Sequence, residues 1–288
     1  MRTFFFANNA MKKVAIQGYP GAFHEIAARF YYDEDIEIVP ADTFDQVVSL
    51  VENNAGADVG LMAIENSIAG SLLYNYDLIN KSSLTISGEL FLRIKHNLLV
   101  LPGKKIQDIT EVHSHHMAIA QCKEFFRFHP HIKLVESKDT AESARRIQDE
   151  QLQHVAALAS DLAGEMYHLE AIEQSIETNK LNYTRFIVLD HFMNAPSDHI
   201  FDKVSLSFAV SHEIGSLYRA LKVLNDLGAN LTKIQSAPIT GRPFEYLFFV
   251  DFMLEKQEQF GAILQGLSET TKGLKILGRY KAGIHHEN

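Results

Sequence analysis

The sequence predicts an α/β chain of two lobes followed by a smaller α+β domain. Three observations carry this reading. Short strand-like runs alternate with amphipathic helices from about residue 13 to 100, the rhythm of a mostly parallel sheet covered on its faces. The rhythm restarts after a long apolar stretch at 84–101. Beyond a turn-rich segment at 193–198 the order changes to strand, helix, strand, strand, helix, strand, the ferredoxin-like arrangement.

In the first lobe the strands are expected at 14–16, 36–39 and 59–64, each followed by a helix, at 22–32, 43–53 and 71–81. The stretch 84–101 reads as one long strand passing into the second lobe. There, strands at 111–113, 132–135 and 155–158 alternate with helices at 117–128, 140–150 and 161–167. A segment at 169–176 follows, and a strand at 185–189 can return the chain to the first lobe. The last domain is read as strand 204–210, helix 214–226, strands 230–235 and 246–252, helix 259–266 and strand 274–277. Tyr246 to Val250 is apolar on both alternating sets, so both faces of that strand need cover, from the lobes or from a second copy.

Composition narrows the function. The 288 residues carry 27 Lys and Arg against 36 Asp and Glu, a net charge of −9, and no basic run that could track a phosphate backbone, which argues against a nucleic-acid partner. No apolar stretch reaches the roughly 18 to 20 residues of a membrane span, so no membrane partner is expected. The single cysteine, Cys122, falls in a helix-like apolar stretch and reads as a buried thiol of a cytoplasmic protein. Residues 1–10 are expected to be disordered or a start-site extension, because Met11-Lys12-Lys13 leads directly into the first strand.

Three polar clusters sit where strand-like runs end, the ligand-binding edge of an open α/β sheet: Ile64-Glu65-Asn66-Ser67 with Gly70, Ser114-His115-His116, and Asn182-Tyr183-Thr184-Arg185-Phe186. They offer neutral donors and one fixed cation, which suits a small anion. Arg185 is the natural clamp for a carboxylate, through two parallel charge-assisted bonds. Glu65 would repel an anion unless it is protonated or tied to a cation such as Arg185. Asn66 or Ser67 can cap the helix that follows, Ser114 can cap the next lobe's helix, and Asp139 can do the same at 140–150. The turn Gly18 to His24 lacks both nucleotide-binding glycine patterns. Fourteen His residues invite a metal site, but their spacing completes no first shell, and His285-His286 is expected to lie in a frayed charged tail. No metal and no organic cofactor are expected.

Four segments, Gly18-Tyr19-Pro20-Gly21-Ala22-Phe23-His24, Ile64 to Gly70, Ser114 to Cys122 and Asn182 to Phe186, resemble in order the characteristic blocks of the prephenate dehydratase family. The C-terminal part resembles the ACT regulatory domain of its monofunctional bacterial members. The resemblance implies a type II periplasmic-binding-protein-like catalytic region at 11–197 (lobe one 11–92 and 184–197, lobe two 93–183) and an ACT domain at 198–282. It implies conversion of prephenate to phenylpyruvate, with Thr184, Arg185 and Glu65 as catalytic residues and Thr184 as donor to the leaving hydroxyl. Asn66, Ser67, Ala22, Phe23, Ser114, His115, Thr140 and Phe186 would contact substrate, Ala22 standing where the family usually has Thr.

An L-phenylalanine effector would meet Gly215, Ser216, Leu217, Asn230, Leu231, Ile234, Gln235, Ser236 and Pro238. Gln235 and Ala237 replace the family's Glu and Arg, which weakens the expected inhibition. A homodimer or homotetramer through the last domain is implied, and deletion of 198–288 is expected to leave a soluble, weakly active enzyme. A two-lobed solute-binding protein and an amino-acid sensor are the competing classes. A prephenate turnover assay separates them.

Overall fold

The computed structural model describes residues 11–32, 35–191, 200–239, 241–242 and 244–286. The segment 1–10 and the linker expected at 193–198 lie outside the described residues. In chain order the elements begin with β1 (Lys12–Gln17), α1 (Phe23–Tyr32), β2 (Ile36–Ala41), α2 (Phe44–Glu52), β3 (Val59–Asn66), β4 (Gly70–Ser71), α3 (Leu73–Lys81) and β5 (Leu84–Arg93). Next come β6 (Asn97–Val100), β7 (Glu111–Ser114), α4 (His116–Phe126), β8 (Lys133–Glu136), α5 (Thr140–Glu150), β9 (Val155–Ala159), α6 (Asp161–Met166) and β10 (Glu170–Glu173). The remainder is β11 (Tyr183–His191), β12 (Lys203–Ala209), α7 (Ser216–Asp226), β13 (Asn230–Pro238), β14 (Tyr246–Met253), α8 (Gln259–Thr270), β15 (Lys272–Tyr280) and β16 (Ile284–His286).

These elements form two compact units. The first takes the described residues up to Leu61 and Lys95–Lys180; the second takes Met62–Ile94 and those from Leu181 onward. The expected single strand at 84–101 is thus two strands, β5 and β6, in different units. The ladder stops because Ile94 N donates to Asn182 O (2.7 Å), while His96 N donates to the Glu177 carboxylate (2.9 Å).

In the first unit β1 pairs in parallel with β2 and with the opening residues of β3. Val14, Ala15 and Ile16 are fully buried, as a strand covered on both faces requires. The second sheet of this unit runs β10-β6-β9-β7-β8. Period two divides its core cleanly: Leu98, Val100, Ala156 and Leu158 pack with Cys122 and Phe126 of α4, whereas Leu99, Leu101, Ala157 and Ala159 pack with Ala141, Ala144 and Ile147 of α5.

In the second unit the strand order is β13-β14-β12-β15-β5-β11, continuing to the end of β3. One face of β12 and β14 carries Val204, Leu206, Phe208, Val250 and Phe252 under α7 and α8. The opposite face carries Lys203, Ser205, Ser207, Phe249 and Asp251, and α3 covers part of it. The Tyr76 ring lies 5.0 Å from Phe249, Ser207 Oγ donates to Asn80 Oδ1 (2.6 Å), and Lys275 Nζ donates to the Asn80 and Ser82 carbonyls. The double-sided apolar pattern of β14 is therefore met within the chain at Phe249.

The C-terminus differs from the frayed tail expected. β16 runs parallel to β5 at Leu90 to Leu92, and His285 stacks on Phe91 at 4.7 Å and 7°. The chain reaches that place through Gly283, where a Cβ would fall 2.4 Å from the Glu89 carbonyl oxygen, so glycine is required for the approach.

Candidate functional site

The end of β3 and the start of β11 form a polar cluster in the second unit. After Asn66 the chain reverses into β4, pairing Glu65 with Ser71 and Asn66 with Gly70, and Gly70 takes the left-handed φ of 82° that the turn needs. Asn66 Oδ1 accepts from Ile68 N (3.0 Å) and Ala69 N (2.9 Å), an arrangement that fixes which way its amide points. Its Nδ2 consequently faces β11 and donates to Asn182 Oδ1 (2.8 Å) and Thr184 Oγ1 (3.0 Å). Ser67 completes the zip: its N donates to Tyr183 O (2.8 Å), its Oγ to Leu181 O (2.9 Å), and Tyr183 N donates back to that Oγ (2.9 Å).

This corrects the expected cap: polar atoms of Asn66 and Ser67 hold the Thr184 segment, and α3 has Leu72 as its N-cap, with no side-chain bond. The consequence falls on Thr184. Because its oxygen receives the Asn66 N–H, its own proton remains to be donated.

Arg185 also departs from expectation. Side chains alternate across a strand, so it leaves β11 on the face opposite Thr184. There Nε donates to Glu89 Oε2 (2.7 Å), Nη1 to Asp251 Oδ2 (2.5 Å) and Nη2 to the Tyr280 hydroxyl (3.0 Å). Lys203 Nζ joins Glu89 at 2.7 and 2.9 Å, and Ser205 Oγ links Asp251 to Tyr280 at 2.6 Å on each side. Arg185, Lys203, Glu89 and Asp251 are between 3% and 5% exposed, so two cations and two anions neutralise each other away from water. Burial alone would lower the Arg185 pKa; Asp251, Tyr280 and Glu89 outweigh it and hold the guanidinium charged. Its donors are committed to the protein's own groups, not presented to a ligand. Phe186, expected at the substrate, is 1% exposed in the core.

The cation beside Glu65 is not Arg185 but Lys233 of β13, whose Nζ donates to Glu65 Oε1 (2.6 Å) and Ser71 Oγ (2.7 Å). Sequence reasoning missed Lys233, Lys203, Glu89, Asp251 and Tyr280. A signal for part of this was present: Lys203, Ser205 and Ser207 alternate with apolar residues and mark a polar sheet face.

In the first unit, the turn before α1 is held by Ser160 Oγ donating to Gly21 O (2.6 Å) and by Tyr167 OH donating to Pro20 O (2.7 Å). Ala22 packs into the core beside Leu99, Ala141 and Ala163, and its N–H donates to Tyr19 O (3.0 Å). Phe23 and His96 form a T-shaped ring pair (5.5 Å, 87°), and His96 Nε2 meets Gln121 Oε1 at 2.9 Å. Ser114 is fully buried and donates to Leu158 O (2.7 Å). The cap of α4 is His115, whose Nδ1 accepts from Met117 N (3.3 Å). Burial and then His116 lower the His115 pKa, which favours neutral imidazole. Asp139 caps α5 by accepting from Ala141 N (2.8 Å) and Glu142 N (3.0 Å), so Thr140 is its first residue.

Toward the C-terminus, Gly215 precedes α7 at a left-handed φ of 79°. A cavity of about 180 Å³ is lined by Ser216 and Leu217 with His212, Phe244, Tyr246 and Phe248. Of the expected effector residues on β13, Asn230, Leu231, Ile234, Gln235 and Ser236 do not line it, and Pro238 lines a second cavity with Phe244 and Tyr246. Among the described residues no group of three or more His, Cys, Asp or Glu is placed to hold a metal ion, and no helix is long and apolar enough to cross a membrane.

The family described as prephenate dehydratase matches residues 14–194. The bifunctional chorismate mutase/prephenate dehydratase of Enterobacter agglomerans is 35% identical over 273 residues, 93% of this chain and 70% of that protein. Among solved structures, the prephenate dehydratase from Arthrobacter aurescens in complex with L-Phe superposes with a TM-score of 0.84 at 25% identity, covering 93% of this chain and 90% of that one. GqqA, described as a novel type of quorum quenching acylase, gives 0.83 at 30% identity, covering 94% and 98%. The chain belongs to the prephenate dehydratase family.

Proposed function

We propose that the protein catalyses the decarboxylative dehydration of prephenate, with Thr184 as donor to the departing hydroxide. The electron pair of the ring carbon–carboxylate bond enters the ring, the C4–oxygen bond breaks, and one proton taken up converts the leaving hydroxide to water. Carbon dioxide and phenylpyruvate are the other products. Aromatisation supplies the driving force, so the protein's task is orientation and a hydrogen bond that strengthens as hydroxide leaves. The observation that carries the reading is the Asn66 bond into Thr184 Oγ1, which commits that oxygen as acceptor and directs its proton elsewhere. Glu65 is an orienting group in this reading.

GqqA prompts an acyl-transfer alternative, which needs an activated nucleophile. Ser114 Oγ is buried and donates to a carbonyl, and burial raises the Cys122 thiol pKa, so the side chains here favour the lyase. Incubation with prephenate, followed by phenylpyruvate absorbance in base, decides the matter. Turnover no faster than the uncatalysed background refutes the proposal.

The finer reading makes the β12-α7-β13-β14-α8-β15 segment an ACT-type regulatory domain with L-phenylalanine as effector. Its element order, the cavity at Ser216 and Leu217 and the L-Phe complex of the Arthrobacter relative support this. Exposed Ile214, Leu231, Ile234 and Tyr246 support self-association through the same segment, as homodimer or homotetramer. Equilibrium dialysis with phenylalanine and light scattering test the two parts. No binding at millimolar phenylalanine, or a monomer at micromolar protein, counts against the respective part.

A further inference from the structure

We infer that Lys233 is a positioning residue for the reaction, holding Glu65 in place and screening its charge from the dianionic substrate. The inference rests on the dehydratase reading. Glu65 directly precedes Asn66, the residue that orients the Thr184 hydroxyl, so movement of one is transmitted to the other. Among the described residues Lys233 is the cation paired with Glu65, because the guanidinium of Arg185 is taken by Glu89 and Asp251.

The strand is built to deliver this side chain. The register of β13 on β14 runs Leu231 to Phe252 and then Lys233 to Asp251, so Thr232 is an extra residue in the ladder. Such a bulge interrupts alternation and re-aims the next side chain. Lys233 is thereby turned to the face that carries Asp251, where its side chain is only 15% exposed although its neighbours Thr232 and Ile234 are exposed. Its ammonium bridges Glu65 and Ser71, two residues paired across the β3–β4 turn, and so ties both sides of that turn. An ammonium left on an exposed strand would be hydrated; this one is withdrawn from water to meet one carboxylate and one hydroxyl.

Steady-state kinetics on prephenate with wild type, K233M, K233R, E65Q and E65Q/K233M tests the inference. Activity of the wild type is the separate check on the dehydratase reading. Given that activity, K233M should raise KM about tenfold with a smaller change in kcat, since it removes an interaction made in both ground and transition states. K233R should stay within about threefold of wild type, because it keeps the charge. Adding E65Q to K233M should return KM toward that of E65Q alone, since the exposed carboxylate charge is gone. In any variant too slow to assay, the dissociation constant for phenylpyruvate read by calorimetry replaces KM. If K233M does not fold, K233Q makes the same comparison. Wild-type KM in the neutral variant, or an identical loss with and without Glu65, overturns the inference.

Discussion

Thr184 and Arg185 are adjacent on β11, yet the surroundings of one are neutral and of the other ionic. Thr184 meets amide groups, Asn66 directly and Asn182 through it, and keeps a proton to give. Arg185 meets Glu89, Asp251 and Tyr280 and has its donors engaged. The strand thus separates two jobs by one residue: a hydroxyl on one face for chemistry, a guanidinium on the other to join β5 and β11 to β12, β14 and β15. A contiguous motif in a strand is two half-motifs facing opposite ways.

The sharpest way to break the comparison is to remove one side of the ionic cluster altogether. Deletion of 198–288 takes away Lys203, Ser205, Asp251 and Tyr280 and leaves Glu89 and Arg185 without most of their partners. The expectation of a soluble, weakly active remainder is therefore revised. Each buried charge stripped of a partner costs about 3–5 kcal/mol, which is comparable with the roughly 5–15 kcal/mol that stabilises a whole domain. The truncated protein should lack a cooperative melt by circular dichroism. A sharp melt near that of the full chain would show that the cluster is dispensable.

A single change makes the same point less drastically. Arg185→Met should cost about 3–5 kcal/mol of stability, because it leaves Glu89 and Asp251 buried and short of a cation. Arg185→Lys should also lower the melting temperature, with the KM of the folded fraction near the wild-type value. A steep rise in KM at unchanged melting temperature would instead place Arg185 on the substrate.

On the other face the expected loss is kinetic. Thr184→Ala should melt like wild type and lose at least about a hundredfold in kcat, as removal of a donor used mainly in the transition state does. Thr184→Ser should keep most of the activity. A loss of equal size in both variants would mean that the methyl group matters more than the hydroxyl.

The contrast also shows what the sequence could and could not convey. Strands β1, β2, β7 and β9 of the first unit were legible as short apolar runs between helical stretches, whereas β6 was read as one strand with β5 because the apolar run 84–101 carries no local mark of the break. Cys122 as a buried thiol was legible because an apolar helical face predicts burial. The polar clusters were legible as places but not as contacts. Glu89 and Arg185 are 96 residues apart and Lys203 and Glu89 are 114 apart, and no local pattern names such partners. Asn66 was misread as a helix cap because an amide at a strand end serves equally for a cap or a neighbouring strand, and only the donors from Ile68 and Ala69 decide which way it points. β16 was misread because three residues beside Leu90 to Leu92 are too short to carry a periodic signal.

The smallest change probes the direction of one hydrogen bond. Asn66→Asp keeps an oxygen for the Ile68 and Ala69 amides but replaces the Nδ2 donor by a second acceptor. The Thr184 hydroxyl, which in the native protein receives a proton from Asn66 and has its own to spare, would then donate to the new carboxylate. A hydrogen bond to a charged group is worth about 1.5–3 kcal/mol, so turning the proton back toward a substrate would cost about tenfold or more in kcat, with KM changed less. Asn66→Ala removes the donor without adding an acceptor and should lose only about threefold to tenfold, the worth of an ordinary hydrogen bond. If the Asp variant were no slower than the Ala variant, the Thr184 proton would not be the one that matters, and the division of labour across β11 would rest on the Arg185 face alone.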